Sequence, residues 1–176
     1  MLTYDFEYGV DIKNRIIKLT GEVDEFMWDI LDSGLNQLEH SKEKITIRIN
    51  SPGGSTYDAL AIIGRIKKSR AYIVTEGFGQ VMSAATLILV AGRQRKISHY
   101  AFFMWHEASY YIDGRHSQNK ATVVQVEKEE RMWAQWMSEM TGEVHDAQWW
   151  YDHGVGKDAY FSAEELVELG VADEVF

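Results

Sequence analysis

The stretch that decides the fold is KITIRINSPGGS, residues 44–55. Its isoleucines alternate with polar residues, which predicts a strand over residues 44–50. The proline and the two glycines then predict a tight turn. Residues 57–68 carry apolar side chains at helical spacing and predict a helix directly after that turn. A strand, a turn and a helix in this order form the unit from which layered α/β proteins are built.

The same alternation of strand-like and helix-like segments continues on both sides of this unit. Further strands are predicted at residues 16–19, 71–77, 101–106 and 174–176, and further helices at 22–39, 83–91 and 117–140. Ser162 and Glu165 form a capping box that predicts the start of a last short helix. Residues 78–82 are interpreted as a loop and the basic run 93–96 as a solvated turn. The sequence therefore predicts one α/β domain with a largely parallel sheet, in which the loops after the strands meet at one edge.

The composition excludes several classes of function. The chain has 176 residues, which fits one domain, and it contains no cysteine. Disulfide scaffolds, thiol catalysis and cysteine-ligated metals are therefore excluded. The formal net charge of −9 disfavours nonspecific binding of nucleic acid, because phosphate contacts need clustered Lys and Arg. No spacing of His, Asp and Glu suggests a metal site.

Residues 1–7 lack the basic start and the apolar run of a signal peptide. No apolar stretch approaches the roughly 20 residues that a membrane span needs. We therefore expect a soluble, cytoplasmic protein that does not bind a membrane.

Candidate catalytic residues follow the predicted strands. A serine needs an adjacent base to act as a nucleophile, and the base needs a group that orients it. Ser83 follows a glycine-containing turn, His106 ends a predicted strand, and Asp158 precedes the last capping box. Taken alone, these residues are more typical of a helix cap, a core histidine and a turn aspartate, and Asp146 and Asp152 compete with Asp158.

Four ordered segments stand at compatible spacings: INSPGG at 49–54, GQVMSAA at 79–85, MWH at 104–106 and DAYFSAEE at 158–165. Four such motifs are far more specific than any one of them. Taken together, they resemble the ClpP family of ATP-dependent serine peptidases, and the resemblance extends from about residue 12 to residue 176.

This resemblance implies a role for each candidate residue. Ser83 would be the nucleophile, His106 the general base, and Asp158 the residue that orients the histidine. The backbone N–H groups of Gly54 and Ala84 would form the oxyanion hole. The segment Gly53, Gly54 and Ser55 would bind the peptide substrate as an added strand.

The resemblance also implies an architecture and partners. The expected fold is the ClpP/crotonase type, a single domain over residues 1–176 with a head (1–105 and 142–176) and a protruding handle helix (about 107–141). Handles of this kind interlock two heptameric rings into a tetradecamer around a chamber, and Trp133, Trp136 and Met137 would lie at or near that interface. An AAA+ unfoldase partner would use the ATP, and the subunit itself would need neither cofactor nor metal.

Some positions depart from the family pattern and leave alternatives open. Glu107-Ala108 stands where the family usually has Gln-Pro, and Gly156-Lys157 precedes Asp158 where a polar or acidic residue and an arginine are common. The compact form would suit a virus-encoded member. The alternatives are a non-catalytic ring subunit, a capsid-maturation peptidase of the same fold, and a crotonase-type acyl-CoA enzyme.

Overall fold

The computed structural model describes residues 6–7 and 9–176, with side chains from residue 9 onward. Residues 1–5, on which most of the signal-peptide expectation rests, lie outside this range. The described strands are β1 Phe6–Glu7, β2 Val10–Asp11, β3 Ile16–Thr20, β4 Ile45–Ser51, β5 Ile73–Met82, β6 Gln94–Ile97, β7 Phe102–Trp105, β8 Ala159–Phe161 and β9 Glu174–Val175. The described helices are α1 Glu25–Leu38, α2 Thr56–Lys68, α3 Ala84–Val90, α4 His116–Met140, α5 Ala147–Gly154 and α6 Ala163–Glu168.

The strands form a largely parallel sheet, as predicted. Its main path has the order β1-β2-β3-β4-β5-β6-β9. Strands β3, β4, β5, β6 and β9 run parallel to one another, whereas β1 pairs antiparallel with β2 and β2 antiparallel with β3. Strand β7 pairs in parallel with the end of β5, and β8 pairs antiparallel with β7. The sheet therefore forks at the end of β5.

The core is built around β4, whose alternating pattern indicated one buried face. Ile45, Ile47 and Ile49 are at most 1% exposed, and Thr46 on the other face and Ser51 at the end of the strand are buried as well. The other face is covered only in part, because Arg48 is half-buried and Asn50 is exposed. All seven residues of α3 are buried too. Strand β4 and helix α3 thus provide a rigid base for the turns that follow β4 and β5.

The interpretation of residues 78–82 as a loop is wrong, because β5 continues to Met82. Its first half pairs with β6 and its second half, from Gln80, pairs with β7. Gly79 has a φ of +54°, and the register between β4 and β5 shifts between Ile49 and Ser51. The glycine and the shift bend the strand instead of ending it.

The basic run at residues 93–96 is also not a turn, since most of it forms β6 between β5 and β9. Its charges are matched by acidic residues near the end of the chain. The Arg95 guanidinium contacts Asp173, and the Lys96 ammonium lies 2.7 Å from a Glu174 carboxylate oxygen. These partners come from residues 78 positions away and could not be read from the local pattern.

The long helix α4 begins one residue before its predicted start and ends at Met140, with Gly142 in the left-handed conformation just beyond. Val123 and Val124 in its N-terminal half are each 46% exposed. Its C-terminal half packs on the domain. Met137 is fully buried in this chain's own core, and Trp133 and Trp136 are partly buried against that core. Their expected place at or near a ring interface stays a prediction.

Candidate active site

Ser83 occupies the sharp turn between β5 and α3. Its φ and ψ are 53° and −127°, a conformation that costs energy for a residue with a side chain. The turn is held because the Ser83 N–H donates to the Met104 carbonyl at 2.9 Å, and because α3 is buried directly after it. The Ser83 side chain makes no capping bond to α3. Its hydroxyl is therefore free for another partner.

That partner is His106, which directly follows β7. The register of the parallel β5–β7 pair places Met82 opposite Met104, so both strands end at the same edge. The Nε2 atom of His106 lies 2.8 Å from the Ser83 hydroxyl oxygen. A hydrogen bond of this length allows the serine to donate its proton to the imidazole when Nδ1 carries the ring's own proton.

Asp158 reaches His106 from the other side. It directly precedes β8, whose antiparallel register places Ala159 opposite Trp105. A carboxylate oxygen of Asp158 lies 3.5 Å from His106 Nδ1, which is long for a hydrogen bond. The Asp158 side chain is 57% exposed, whereas that of His106 is 23% exposed. The carboxylate is thus beside the ring but held loosely.

The two competing aspartates are occupied elsewhere. Asp146 caps α5, where its side chain accepts a hydrogen bond from the Trp149 N–H at 2.8 Å. Asp152 accepts a hydrogen bond from the Gln148 amide at 2.8 Å on the exposed face of α5. Of the three aspartates, only Asp158 pairs with His106 among the described residues.

The glycine turn after β4 lies against the serine. A Cβ atom on Gly53 would be 2.6 Å from the Ser83 Cβ and 2.8 Å from the Met82 carbonyl oxygen. Gly53 has a φ of +97°, so both space and backbone conformation require glycine there. The chain can approach Ser83 this closely only because the side chain is missing.

Two backbone N–H groups beside Ser83 are free to bind a ligand, that of Gly54 in the glycine turn and that of Ala84 at the start of α3. Val23 forms a parallel bridge with Gly54, in which the Val23 N–H donates to Gly53 and the Val23 carbonyl accepts from Ser55. The N–H and carbonyl groups of Gly54 therefore point away from Val23. Within the described residues, neither the Gly54 N–H nor the Ala84 N–H has a protein acceptor. Ser55 also lines this region, but its hydroxyl caps α2 by accepting from the Asp58 N–H.

A cavity of about 390 Å³ opens beside Ser83, between the glycine turn and α4. Gly54, Ala84 and His106 border it on the serine side, and residues of α4 and α5 form the far wall. Trp133, expected at a ring interface, lines this cavity. Sequence reasoning did not identify the cavity, because its walls come from segments far apart in the chain.

Acidic residues border the cavity, namely Glu107, Glu129 and Glu130. The Glu130 carboxylate accepts a hydrogen bond from the Ala108 N–H at 3.2 Å, and the Glu129 carboxylate accepts one from the Tyr57 hydroxyl at 3.3 Å. Burial raises the pKa of Glu130, and the negative charge of Glu107 raises it further, while the Ala108 bond opposes the rise.

Glu107 also ties the Asp158 segment to the strand that carries His106. Its N–H donates to the Gly154 carbonyl at 3.0 Å, and its carboxylate accepts from the Gly156 N–H at 3.2 Å. The Trp105 indole N–H donates to the Trp150 carbonyl at 2.8 Å and holds the middle of α5 against the end of β7. These contacts bring residues 154–158 up to His106.

Comparison with known proteins identifies the family. The family model described as Clp protease matches residues 5–176. This chain belongs to the Clp protease family. Curated relatives include ATP-dependent Clp protease proteolytic subunit 3 of Rhodococcus jostii, 31% identical over 168 residues, and subunit 4 of the same organism, 29% identical over 166 residues. These alignments cover 93% and 92% of this chain and 81% and 84% of the relatives. Subunit 1 of Corynebacterium glutamicum is 29% identical over 174 residues, covering 96% of this chain and 82% of the relative.

Family membership confirms the predicted α/β fold of the ClpP type and makes the chain, in general terms, a Clp-type peptidase. In the part of the chain that the structure describes, no three His, Asp or Glu side chains come together as a metal site. Among the same residues, no helix has the length and apolar character needed to span a membrane.

Proposed function

We propose that the chain is a serine endopeptidase that cleaves unfolded polypeptides or short peptides, with Ser83 as nucleophile, His106 as general base and Asp158 as the orienting carboxylate. The observation that carries the proposal is the 2.8 Å contact between the Ser83 hydroxyl and His106 Nε2. A serine becomes nucleophilic at neutral pH when a base lies at this distance. The burial of α3 keeps the serine in place while it reacts.

In the first half of the reaction, Ser83 Oγ attacks the carbonyl carbon of the scissile bond and its proton passes to His106 Nε2. The C–N bond then breaks, His106 returns the proton to the leaving amine, and an acyl ester remains on Ser83. Asp158 stabilises the imidazolium that exists between these two transfers. In the second half, His106 takes a proton from water, and the resulting hydroxide attacks the ester carbonyl. The C–O bond to Ser83 then breaks, His106 returns the proton to Ser83 Oγ, and the free acid leaves.

The oxyanion that forms in each half accepts hydrogen bonds from the N–H groups of Gly54 and Ala84. Both groups lack a protein acceptor within the described residues. Donors that are fixed before the reaction stabilise the developing charge without reorganising. The outward carbonyl of Gly54 would accept a hydrogen bond from the substrate backbone, so that the Gly53–Ser55 segment pairs with the peptide as an added strand, a mode that tolerates many sequences.

We further propose that the chain acts in a homo-oligomer of stacked heptameric rings, with residues 107–141 as a handle and the rest as a head. The exposed N-terminal half of α4 supports this role, since it presents apolar Val123 and Val124 to a neighbour. An AAA+ unfoldase would feed substrates and use ATP, and the reaction of the subunit itself needs no cofactor. The cytoplasm is the proposed location.

A fluorophosphonate probe tests the proposal, because it reacts with an activated serine and not with an ordinary one. We expect stoichiometric labelling of Ser83 in the assembled protein, mapped by mass spectrometry, and loss of labelling and of peptide cleavage in Ser83→Ala. Ser109→Ala, an exposed serine that also borders the cavity, is the matched control and keeps both. Absence of labelling in a correctly assembled oligomer would contradict the proposal and favour a non-catalytic ring subunit.

A further inference from the structure

The residues that line the cavity beside Ser83 indicate which substrate side chain it can bind. It borders the serine, the histidine and both free N–H groups, so a bound peptide with its carbonyl carbon at Ser83 has a neighbouring side chain at the cavity mouth. In the acyl ester, only the residue on the acyl side stays attached to the serine. Its side chain begins one carbon from the esterified carbonyl, and the cavity borders the serine that carries this ester.

Much of the cavity wall is apolar, with Val126, Trp133, Tyr151 and Val155 among its residues. Glu129 and Glu130 of α4 also border it, as does Glu107, whose carboxylate accepts from the Gly156 N–H. The apolar walls suit a long aliphatic stem. A volume of about 390 Å³ accommodates the longest natural side chains.

The two carboxylates belong to consecutive residues of α4 and lack a cationic partner. Glu129 is bonded to the Tyr57 hydroxyl and to the Gln125 amide, and Glu130 to the Ala108 N–H. All these donors are neutral. Within the described residues, no Lys or Arg borders the cavity and neither carboxylate forms an ion pair. The nearby Arg131 is paired with Glu127 at 3.2 Å.

A partly buried carboxylate without a cationic partner carries a negative charge that no nearby positive charge compensates. Burial raises the pKa of Glu130, since the carboxylate is desolvated and has another carboxylate nearby. A ligand cation beside these carboxylates would oppose both effects. An ammonium or a guanidinium would also add charge attraction to the hydrogen bond, whereas the donors now present are neutral.

We propose that this cavity selects a lysine or arginine side chain on the acyl side of the scissile bond, with Glu129 and Glu130 as specificity-determining residues. The inference rests on the proposed function and extends it to a substrate class. The aliphatic stem would lie along Trp133 and Val126, and the cationic end would bind between the two carboxylates.

Short peptides that carry a fluorescent coumarin amide as leaving group test the acyl side alone. Lysine and norleucine differ by the terminal ammonium and have nearly the same stem. The ratio of their kcat/KM values therefore measures how much the carboxylates favour a substrate with an ammonium. We expect the assembled wild-type protein to prefer lysine over norleucine by about tenfold or more, which corresponds to one strong charged contact. In the double variant E129Q/E130Q, the ratio falls to about one while norleucine cleavage persists.

Matched measurements keep the result interpretable. Glu139→Gln, an exposed change on the same helix away from the cavity, leaves the lysine preference intact. Equal cleavage of both peptides by the wild-type protein, or a preference unchanged in E129Q/E130Q, would overturn the specificity and leave the peptidase proposal standing. Absence of fluorophosphonate labelling together with no cleavage of either peptide would overturn both.

Discussion

The two ends of the Ser83–His106–Asp158 arrangement are built differently. The serine end rests on the core: α3 is fully buried, the Ser83 N–H is bonded to β7, and Gly53 packs against the serine Cβ. The aspartate end lies at the surface, with a side chain that is 57% exposed and 3.5 Å from the imidazole. The serine end is fixed by packing, whereas the aspartate end depends on a few hydrogen bonds of the 154–158 segment.

This difference predicts a gradient of mutational effects across the site. A buried contact is costly to remove, because neighbouring groups cannot rearrange or become hydrated. An exposed ion pair is screened by water and contributes little. Substitutions at the serine end should therefore lower the activity strongly, whereas substitutions at the aspartate end should lower it less.

His106→Ala should have the largest effect. It removes the base that lies 2.8 Å from the Ser83 hydroxyl, and we expect kcat/KM for a peptide amide to fall about 10⁴-fold. Stability should change little, because the ring is near the surface. His40→Ala, an exposed histidine at the end of α1, is the control and keeps wild-type activity. Retention of even a tenth of the activity in His106→Ala would show that the histidine is not the base.

Gly53→Ala should come next. The new methyl group would meet the Ser83 Cβ and the Met82 carbonyl at a positive φ, so the turn must shift. We expect a loss of about 2–4 kcal/mol in the free energy of unfolding, from strain and overpacking, and a roughly 100-fold slower reaction with fluorophosphonate. Chemical denaturation and the labelling rate measure the two effects.

Gly64→Ala is the control for that substitution. Gly64 lies inside α2, and a Cβ atom there meets nothing within 4 Å. Alanine should raise the stability of the helix by about 0.5–1 kcal/mol and leave labelling unchanged. Equal stability losses in both variants would mean that Gly53 is not specifically packed against the serine.

Asp158→Asn should have an intermediate effect. The contact with His106 is long and exposed, so we expect kcat/KM to fall only about 10- to 100-fold, less than for a buried orienting aspartate. Asp152→Asn on the exposed face of α5 is the control. A loss as large as that of His106→Ala would show that the aspartate end is as firmly built as the serine end in the working assembly.

Glu107→Ala should have the smallest effect. It removes the acceptor of the Gly156 N–H and loosens the segment that carries Asp158, which we expect to lower kcat/KM about two- to fivefold on a norleucine peptide. Glu107→Gln keeps an acceptor oxygen and should restore most of the loss. The same deficit in both variants would assign the effect to charge instead of positioning.

Much of the fold could be predicted because local pattern and tertiary environment agree there. The isoleucines of β4 and the helical stripe of α1 bury the faces that their spacing indicates. The capping box at Ser162 and Glu165 is present as expected, with both reciprocal hydrogen bonds. In these segments, each residue's own preference is sufficient to specify the structure.

The missed elements depend on distant partners. Strand β6 carries Arg95 and Lys96, whose charges are matched by Asp173 and Glu174. The second half of β5 contains Gly79, and a glycine is usually interpreted as the end of a strand. Helix α5 and strand β8 are short and were not predicted, since their residues are ordered by contacts with β7 and α4.

The site was harder to predict than the fold. From local pattern alone, Ser83, His106 and Asp158 were each better interpreted as structural residues, and only the ordered resemblance favoured a common site. The acidic cavity had no local signal at all, because Glu129 and Glu130 resemble any solvated charges on a long helix. Only the packing of α4 against residues 105–110 brings them to the serine.

Strand β8 has a consequence for the time at which the candidate site appears during synthesis. Residues 53, 83 and 106 precede Asp158 in the chain, and the sheet edge that holds them can form while the chain is still growing. Asp158 arrives later, with β8, which pairs with β7. Domains tend to fold as their segments emerge from the ribosome. A nascent chain therefore holds an incomplete site until β8 docks on β7.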